Sequence, residues 1–384
     1  MKKHKTQVGK NNPKLWRMNK YWPWILCVST LLIIGITGQS ANYISNSPKR
    51  QMNESTIDSC LQAKVDLLLR HQMEIIHAIS GQVIVMEVAT GKLRSLVGLG
   101  RKSDGTYEAN CDWGFQQESG LVRIASALAL LDESKASLDT HISTGEGMYE
   151  YDGKRILDSS FYRGGYGVLT MEQVLQYGSN VGMAKLAINA YEKQPQAFFD
   201  KLDKMSFGKP DTLLDIPNLH SIQCIPSKEN HCKRINWAFS AIGYEQGITP
   251  MQMLTFFNAI ANDGKMVKPQ LHHRPAIVIN SQIAQTESIR RIQKVLRSIV
   301  YEGYGRKANT RNVRVAGSPG TVQTTRRMGE DFEYHVEFCG FFPVQHPKYS
   351  IIVSMNKIGR PSSGSGQASP VFRQIVEYMM QKHD

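Results

Sequence analysis

Val122 to Leu131 reads VRIASALALL, eight apolar residues in ten, spread round the whole circumference a helix would have. A helix without a polar face belongs inside a core, not on its surface. Such a core needs other elements packed on every side of that segment, and therefore a sizeable domain. The 384 residues, 41% hydrophobic and 21% charged, are enough for one large domain or two smaller ones. The same composition excludes wholesale disorder, a collagen-like repeat and a polytopic membrane protein.

The flanking segments supply the layers. Thr56 to Arg70 carries Leu61, Val65 and Leu68/Leu69 at helical spacing. Gln82 to Val88 and Leu93 to Val97, joined by Ala89-Thr90-Gly91-Lys92, read as a hairpin. Thr170 to Ala190 reads as one helix with Gly178 inside it, and Thr249-Pro250 opens another through Ile260, closed by Asn262-Asp263-Gly264. Val313 to Ala316, Glu337 to Phe342 and Ser350 to Met355 are strand-like. Pro361 to Ser369 reads as a Ser/Gly loop before a last helix, Val371 to Met380. There is no internal repeat, and the pattern predicts helices covering an antiparallel sheet, an α/β (α+β) fold.

Charge is concentrated at one end. Residues 1–20 hold seven Lys/Arg and no acid, out of a net +13. The basicity is largely that of a tail, and no aromatic-interleaved basic stripe follows, so no nucleic-acid partner is expected. Trp22 to Gly38 then runs seventeen residues without a charge, with Trp16, Tyr21, Trp22 and Trp24 at its leading edge. These features predict a transmembrane anchor, its Lys14, Arg17 and Lys20 side cytoplasmic. The competing reading is a signal peptide cleaved at Gly38-Gln39-Ser40. Either way residues 41–384 lie outside the cytoplasm. The expected organisation is a basic tail (1–20), an anchor (21–38), a linker (39–55) and one folded domain (56–384). Cys224 and Cys232 bracket a polar stretch that could close as a disulfide loop, with two unpaired thiols as the second reading. With His220 and His231 they could be read as a zinc cluster, but the adjacent His231-Cys232 pair fits ligand spacings poorly, and no metal or cofactor is expected.

Six further blocks carry a resemblance. GQVIVMEVATGKLRSLV (81–97), LDTHISTGEG (138–147), GGYGVLTMEQVLQYGSNVGMAKLA (164–187), GYEQGITPMQMLTFFNAIANDGKMVKP (243–269), VRVAGSPGTVQTT (313–325) and FCGFFPVQHPKYSIIVSMNK (338–357) follow one another. With Thr56-Ile57-Asp58 and Leu61-Gln62, they resemble the transpeptidase domain of penicillin-binding proteins, in the monofunctional class of septal and elongation cell-wall synthesis. The resemblance implies acyl transfer on D-Ala-D-Ala stem peptides. It also implies a bacterial inner-membrane location with the main domain periplasmic, and peptidoglycan-synthesis or other cell-envelope proteins as partners. That class usually carries a large pedestal between anchor and catalytic domain. Here about seventeen residues separate them, which would hold the domain close to the membrane.

The family chemistry needs a Ser with a Lys one helical turn on, a second Ser in S-x-N, and a K-T-G strand. In register, Gly120 stands at the nucleophile and Arg123 at the Lys; an alternative frame puts Leu121 and Ile124 there. Arg123 cannot act as a base because its guanidinium does not deprotonate at workable pH. S-x-N becomes Gly178-Ser179-Asn180, and K-T-G-T becomes Ser318-Pro319-Gly320-Thr321. Ser119, one residue away, is the candidate displaced nucleophile. Ser206-Phe-Gly-Lys209 and Ser354-Met-Asn-Lys357 match S-x-x-K by coincidence, the first in a loop and the second on a strand whose i and i+3 side chains face apart.

Arg123, Asn180, Gly320 and Thr321 remain as candidate ligand contacts. Against that, Asn180 and Gly320 have structural readings as a helix brace and a packing glycine, and Arg123 is read either as an anion site or as half of an ion pair with Glu118. The sequence thus points to a catalytically degenerate domain that acts by binding, as scaffold, regulator or stem-peptide receptor. Two alternatives stand beside it: a working D,D-transpeptidase or carboxypeptidase with an unrecognised nucleophile, and an interaction module whose cleft is occluded by Leu121 or Pro319.

Overall fold

The computed structural model describes residues 54–209, 234–244, 247–324 and 331–382. The tail, anchor and most of the linker, and the segment with His220, Cys224, His231 and Cys232, lie outside these residues. Among the described residues no helix is long and apolar enough to cross a membrane, and no cluster of metal-ligating side chains occurs.

The chain enters through α1 (Ser59–Ile76), capped by Asp58, whose carboxylate accepts from Cys60 N and Leu61 N. Predicted to open at Thr56 and end near Arg70, the helix instead starts at this cap and runs six residues further, because Met73 continues the buried stripe of Leu61, Val65 and Leu69. The hairpin β1 (Ala78–Glu87) and β2 (Leu93–Arg101) follows, with β3 (Tyr107–Ala109) at its edge. Helix α2 (Val122–Asp132) is buried over its whole length except the last residue. Small strands β4 (His141–Gly145), β5 (Met148–Tyr151), β6 (Lys154–Leu157) and β7 (Gly167–Thr170) lead to α3 (Met171–Tyr177) and α4 (Asn180–Tyr191). These last two correct the single helix expected over 170–190. Gly178 adopts φ +66° as the C-cap of α3 and Ser179 caps α4, so the chain turns between them.

Helices α5 (Pro195–Lys204), α6 (Arg234–Ser240), α7 (Pro250–Ala261) and α8 (Thr286–Tyr301) continue the order, with the short strands β8 (Met266–Val267) and β9 (Val278–Asn280) between the last two. Thr249 and Gln252 form a capping box at the start of α7, with Pro250 inside its first turn. Strands β10 (Ala316–Gln323), β11 (Glu333–Phe342) and β12 (Tyr349–Ile358) and helix α9 (Gly364–Gln381) complete the fold. Two expectations are corrected here. The strand predicted over 313–316 starts at Ala316, and the loop predicted through Ser369 ends at Ser363, whose hydroxyl caps α9 by accepting from Gly366 N.

The sheet runs β10-β11-β12-β1-β2-β3, with every adjacent pair antiparallel. Side chains alternate across it. Val83, Val85, Val336, Phe338 and Val353 meet α1 and α9 in one core, and Ile84, Met86, Phe341 and Ile352 meet α2 and its neighbours in the other. This is an α+β architecture with helices on both faces. Edge strand β10 passes the start of α2, and that crossing positions the site.

Candidate functional site

The approach to α2 is held by backbone. Ser119 N donates to Gly243 O at 3.1 Å, and Gly243 takes φ +96° with no side chain where the carbonyl of Ser119 passes. Gly120 lies directly against β10. A Cβ on it would sit 2.9 Å from Thr321 N and 3.1 Å from Gly320 Cα. The strand therefore closes the position at which a nucleophilic side chain was expected.

Ser119 faces inward, 1% exposed. Its Oγ donates to Glu337 Oε1 at 2.6 Å and accepts from Leu121 N at 3.2 Å. Glu337, itself 2% exposed, reaches it because its ladder partner is Gly320, where a Cβ would fall 2.4 Å from Oε1. Next along β11, His335 Nδ1 meets Glu118 O at 2.8 Å. A carbonyl only accepts, so Nδ1 carries a proton. His335 Nε2 lies 2.8 Å from Ser354 Oγ, which accepts from Gln117 Nε2 at 3.1 Å. Ser119 does have an oxygen base beside it, but the pair is sealed in a polar layer that ties the start of α2 to β11 and β12.

Four residues on from Ser119, Arg123 turns the other way. It is 9% exposed, and Nη1 donates to Asn180 Oδ1 at 2.7 Å. The expected alternative partner, Glu118, is not the one it finds. Burial pushes the guanidinium pKa down, opposed by Tyr244, Glu337 and Asp158 at longer range. Gly178, in its left-handed turn, leaves the space beside Arg123 Nη2 empty of side chain; a Cβ there would stand 3.6 Å away. Asn180 Nδ2 donates to Leu157 O at 3.2 Å, so this residue does brace the helix while it holds Arg123.

Asp158 was not anticipated. It is buried beside the α3–α4 turn, accepting from Ser179 Oγ at 2.7 Å and Val181 N at 2.9 Å. Desolvation raises its pKa, although those hydrogen bonds and the charge of Arg123 pull it down. Ser179 is thus committed to Asp158 and to Gly182 N, away from any ligand.

On the opposite wall, Pro319 is accommodated on edge strand β10, as proline on a strand requires. Thr321 Oγ1 accepts from Gly364 N at 2.9 Å, fixing the start of α9. Gly320 is hemmed in by Glu337 on one side and by Gly364 on the other. Between the walls is an open cleft of about 660 Å³ lined by Arg123, Gly178, Asn180, Ser318, Pro319 and Thr321 among others. Gly120 and Gly320 are not in its lining, and Leu121 and Ile124 point into the core. Neither Leu121 nor Pro319 fills it, so the occluded-cleft expectation is not met.

The two S-x-x-K strings hold no reactive pair. Lys209 sits 3.3 Å from Asp203, and Lys357 Nζ donates to Gly359 O and Pro361 O.

The connectivity of the sheet, the buried α2 and the cleft at its start agree with one family: residues 81–377 match the model described as the penicillin binding protein transpeptidase domain. The chain belongs to this family. Among relatives of the penicillin-binding transpeptidase domain, stage V sporulation protein D of Bacillus subtilis is 25% identical over 279 residues, 69% of this chain and 42% of that protein. PbpB of Mycolicibacterium smegmatis is 24% identical over 373 residues, 86% of this chain and 54% of that protein. The chain spans about half the length of the curated relatives it matches. The transpeptidase domain of penicillin-binding protein 3 from Burkholderia pseudomallei superposes with a TM-score of 0.72 at 24% identity, covering 86% of this chain and 96% of that one. Penicillin-binding protein 3 of Mycobacterium tuberculosis gives 0.74 at 21% identity, covering 86% and 79%. These likenesses establish the transpeptidase fold.

Proposed function

We propose that this chain is a membrane-anchored penicillin-binding-protein-like domain that has lost acyl transfer and acts by binding, as a scaffold, regulator or stem-peptide receptor in peptidoglycan assembly. Names among its relatives, including the peptidoglycan D,D-transpeptidase FtsI of Escherichia coli, support the cell-wall context. The observation that carries the loss of catalysis is Gly120. It offers no nucleophile, and the backbone of β10 stands where one would project. Arg123 cannot take a proton, Gly178 has no hydroxyl, and Ser318 replaces the amine of the third motif. The basic tail and the uncharged 22–38 segment support an inner-membrane anchor with the domain on the periplasmic side.

The enzyme reading rests on the hydrogen bond between Ser119 and Glu337, and the burial of both side chains weighs against it. Intact-mass spectrometry of the full chain in detergent, after incubation with excess benzylpenicillin, separates the two. The expected result is an unmodified mass. A stoichiometric adduct mapped to Ser119 would restore an acyl-transfer role.

A further inference from the structure

We propose that the Arg123 wall of the cleft is a reversible oxyanion site, which takes a ligand ending in a carboxylate or phosphate and holds it by the guanidinium without forming a bond. The inference rests on the reading that this cleft does not acylate, and it places the charged end of the ligand at α2 and the α3–α4 turn, away from β10.

Arg123 carries a charge with no ion-pair partner among the described residues. A guanidinium has five N–H donors and needs counter-charge or hydrogen bonds when buried. Among the described residues, Arg123 has one hydrogen bond, to the neutral amide oxygen of Asn180, and no ion pair. The two described acids whose charge acts on it are hydrogen-bonded elsewhere, Asp158 with Ser179 and Val181, and Glu337 with Ser119. An internal salt bridge would have sealed Arg123 into the core, as it does many buried arginines. Here the charge instead borders an open cleft of about 660 Å³.

The turn beside it leaves room for an anion. Gly178 holds φ +66° and contributes no side chain, and even a Cβ there would be at ordinary contact distance from Nη2. The second nitrogen of the fork therefore faces space that a carboxylate or phosphate oxygen can enter to accept a charge-assisted hydrogen bond. The rest of the lining has the same sign. Arg155 and Arg360 join Arg123, and among the described lining residues Asp158 is the one acid. Across the cleft, Ser318-Pro319 brings no cation, so β10 offers the charged end no counter-charge there.

The test uses the full chain in detergent at fixed ionic strength with chloride as control, reading the thermal midpoint and ligand titration. The probes are N-acetyl-D-alanyl-D-alanine, its C-terminal amide and inorganic phosphate. Saturable stabilisation by the acid and not by the amide assigns a peptide carboxylate. Saturable stabilisation by phosphate alone assigns a phosphate ligand at the same site. The deciding variant is Asn180→Asp, which places a carboxylate within reach of Nη1 and supplies the counter-charge internally. It should raise the thermal midpoint of the free protein while weakening the anion roughly tenfold or more. Arg123→Gln, which removes the charge altogether, should abolish the response. No saturation above the chloride control, equal binding of acid and amide without phosphate binding, or full affinity in Asn180→Asp would each overturn the proposal. Benzylpenicillin adduct formation is scored separately by mass, so failure of the non-acylating reading and failure of the anion site are told apart.

Discussion

On the β10 wall of the cleft, the backbone of Thr321 lies within 2.9 Å of where Gly120 would carry a side chain, and Glu337 passes through the gap at Gly320 to reach Ser119. On the α3–α4 wall, Gly178 removes a side chain from the edge of an open volume, and Arg123 extends toward it. Gly120 packs on β10 and Gly178 edges the open volume, both at positions that the proposed register aligns with motif serines, yet one place is shut and the other open. In close-packed surroundings a missing side chain is replaced by direct backbone contact, because interiors do not sustain voids. At a cleft there is no such pressure, and the vacated space stays available to a ligand. The closed wall is therefore a stability element and the open wall a recognition element.

The sharpest way to break this contrast is Gly243→Ala. The new Cβ would fall 1.8 Å from Ser119 O, at a backbone angle of φ +96° that L-residues avoid. Strain and overpacking together should cost about 3 kcal/mol or more in urea unfolding. A change under about 0.5 kcal/mol, the range of an ordinary surface substitution, would mean the closed wall is not rigid. Gly120→Ser comes next, at about 1–3 kcal/mol, since β10 must shift to admit it. Its mass after benzylpenicillin should remain unmodified, because the restored hydroxyl still lacks a base at position 123. Ser119→Ala should cost about 1–2 kcal/mol, by removing a donor from the buried carboxylate of Glu337. If instead an adduct forms on the native chain and disappears in this variant, Ser119 is a nucleophile and the closed wall opens in solution.

How far this could be read from sequence depended on range. The hairpin over 81–97, the buried α2 and the Thr249-Pro250 cap are local patterns, and each stands where periodicity and cap chemistry put it. The α3–α4 break was hidden because Gly178-Ser179 interrupts two apolar helices for only two residues, and helical glycine is merely unfavourable, not forbidden. The start of α9 was missed because Ser363-Gly364-Ser365-Gly366 has poor helix propensity. What requires glycine there is packing, since a Cβ on Gly364 would fall 2.2 Å from Gly320 O. At the site, the register proposes motif positions and says nothing of their surroundings. Glu337 meets Ser119 across 218 positions of sequence and Asp158 meets Ser179 across 21, and no spacing rule encodes either contact. His335 and Glu337 alternate on one face of β11, but the strand predicted there starts only at Glu337, so this polar layer lay outside the expectation.

The smallest effect sharpens the open wall through Asp158. Burial raises its folded pKa above 3.8, with Arg123 among the groups pulling it back down. For an acid shifted this way, the favourable contribution is fully present below the unfolded pKa of 3.8 and is lost as pH rises through the folded value. Asn at this position stays neutral and keeps that contribution throughout. Asp158→Asn should therefore gain stability relative to the native chain between pH 4 and pH 7, whatever constant offset its altered hydrogen bonds introduce. In an Arg123→Gln background the nearby cation is gone, the Asp158 carboxylate is harder to ionise, and the gain with pH should be larger. Urea midpoints of the four proteins at the two pH values form a double-mutant cycle whose coupling term isolates the Arg123–Asp158 interaction. A coupling of zero would mean that the guanidinium is already neutralised by solvent. The open wall would then have no unmet charge to offer a ligand.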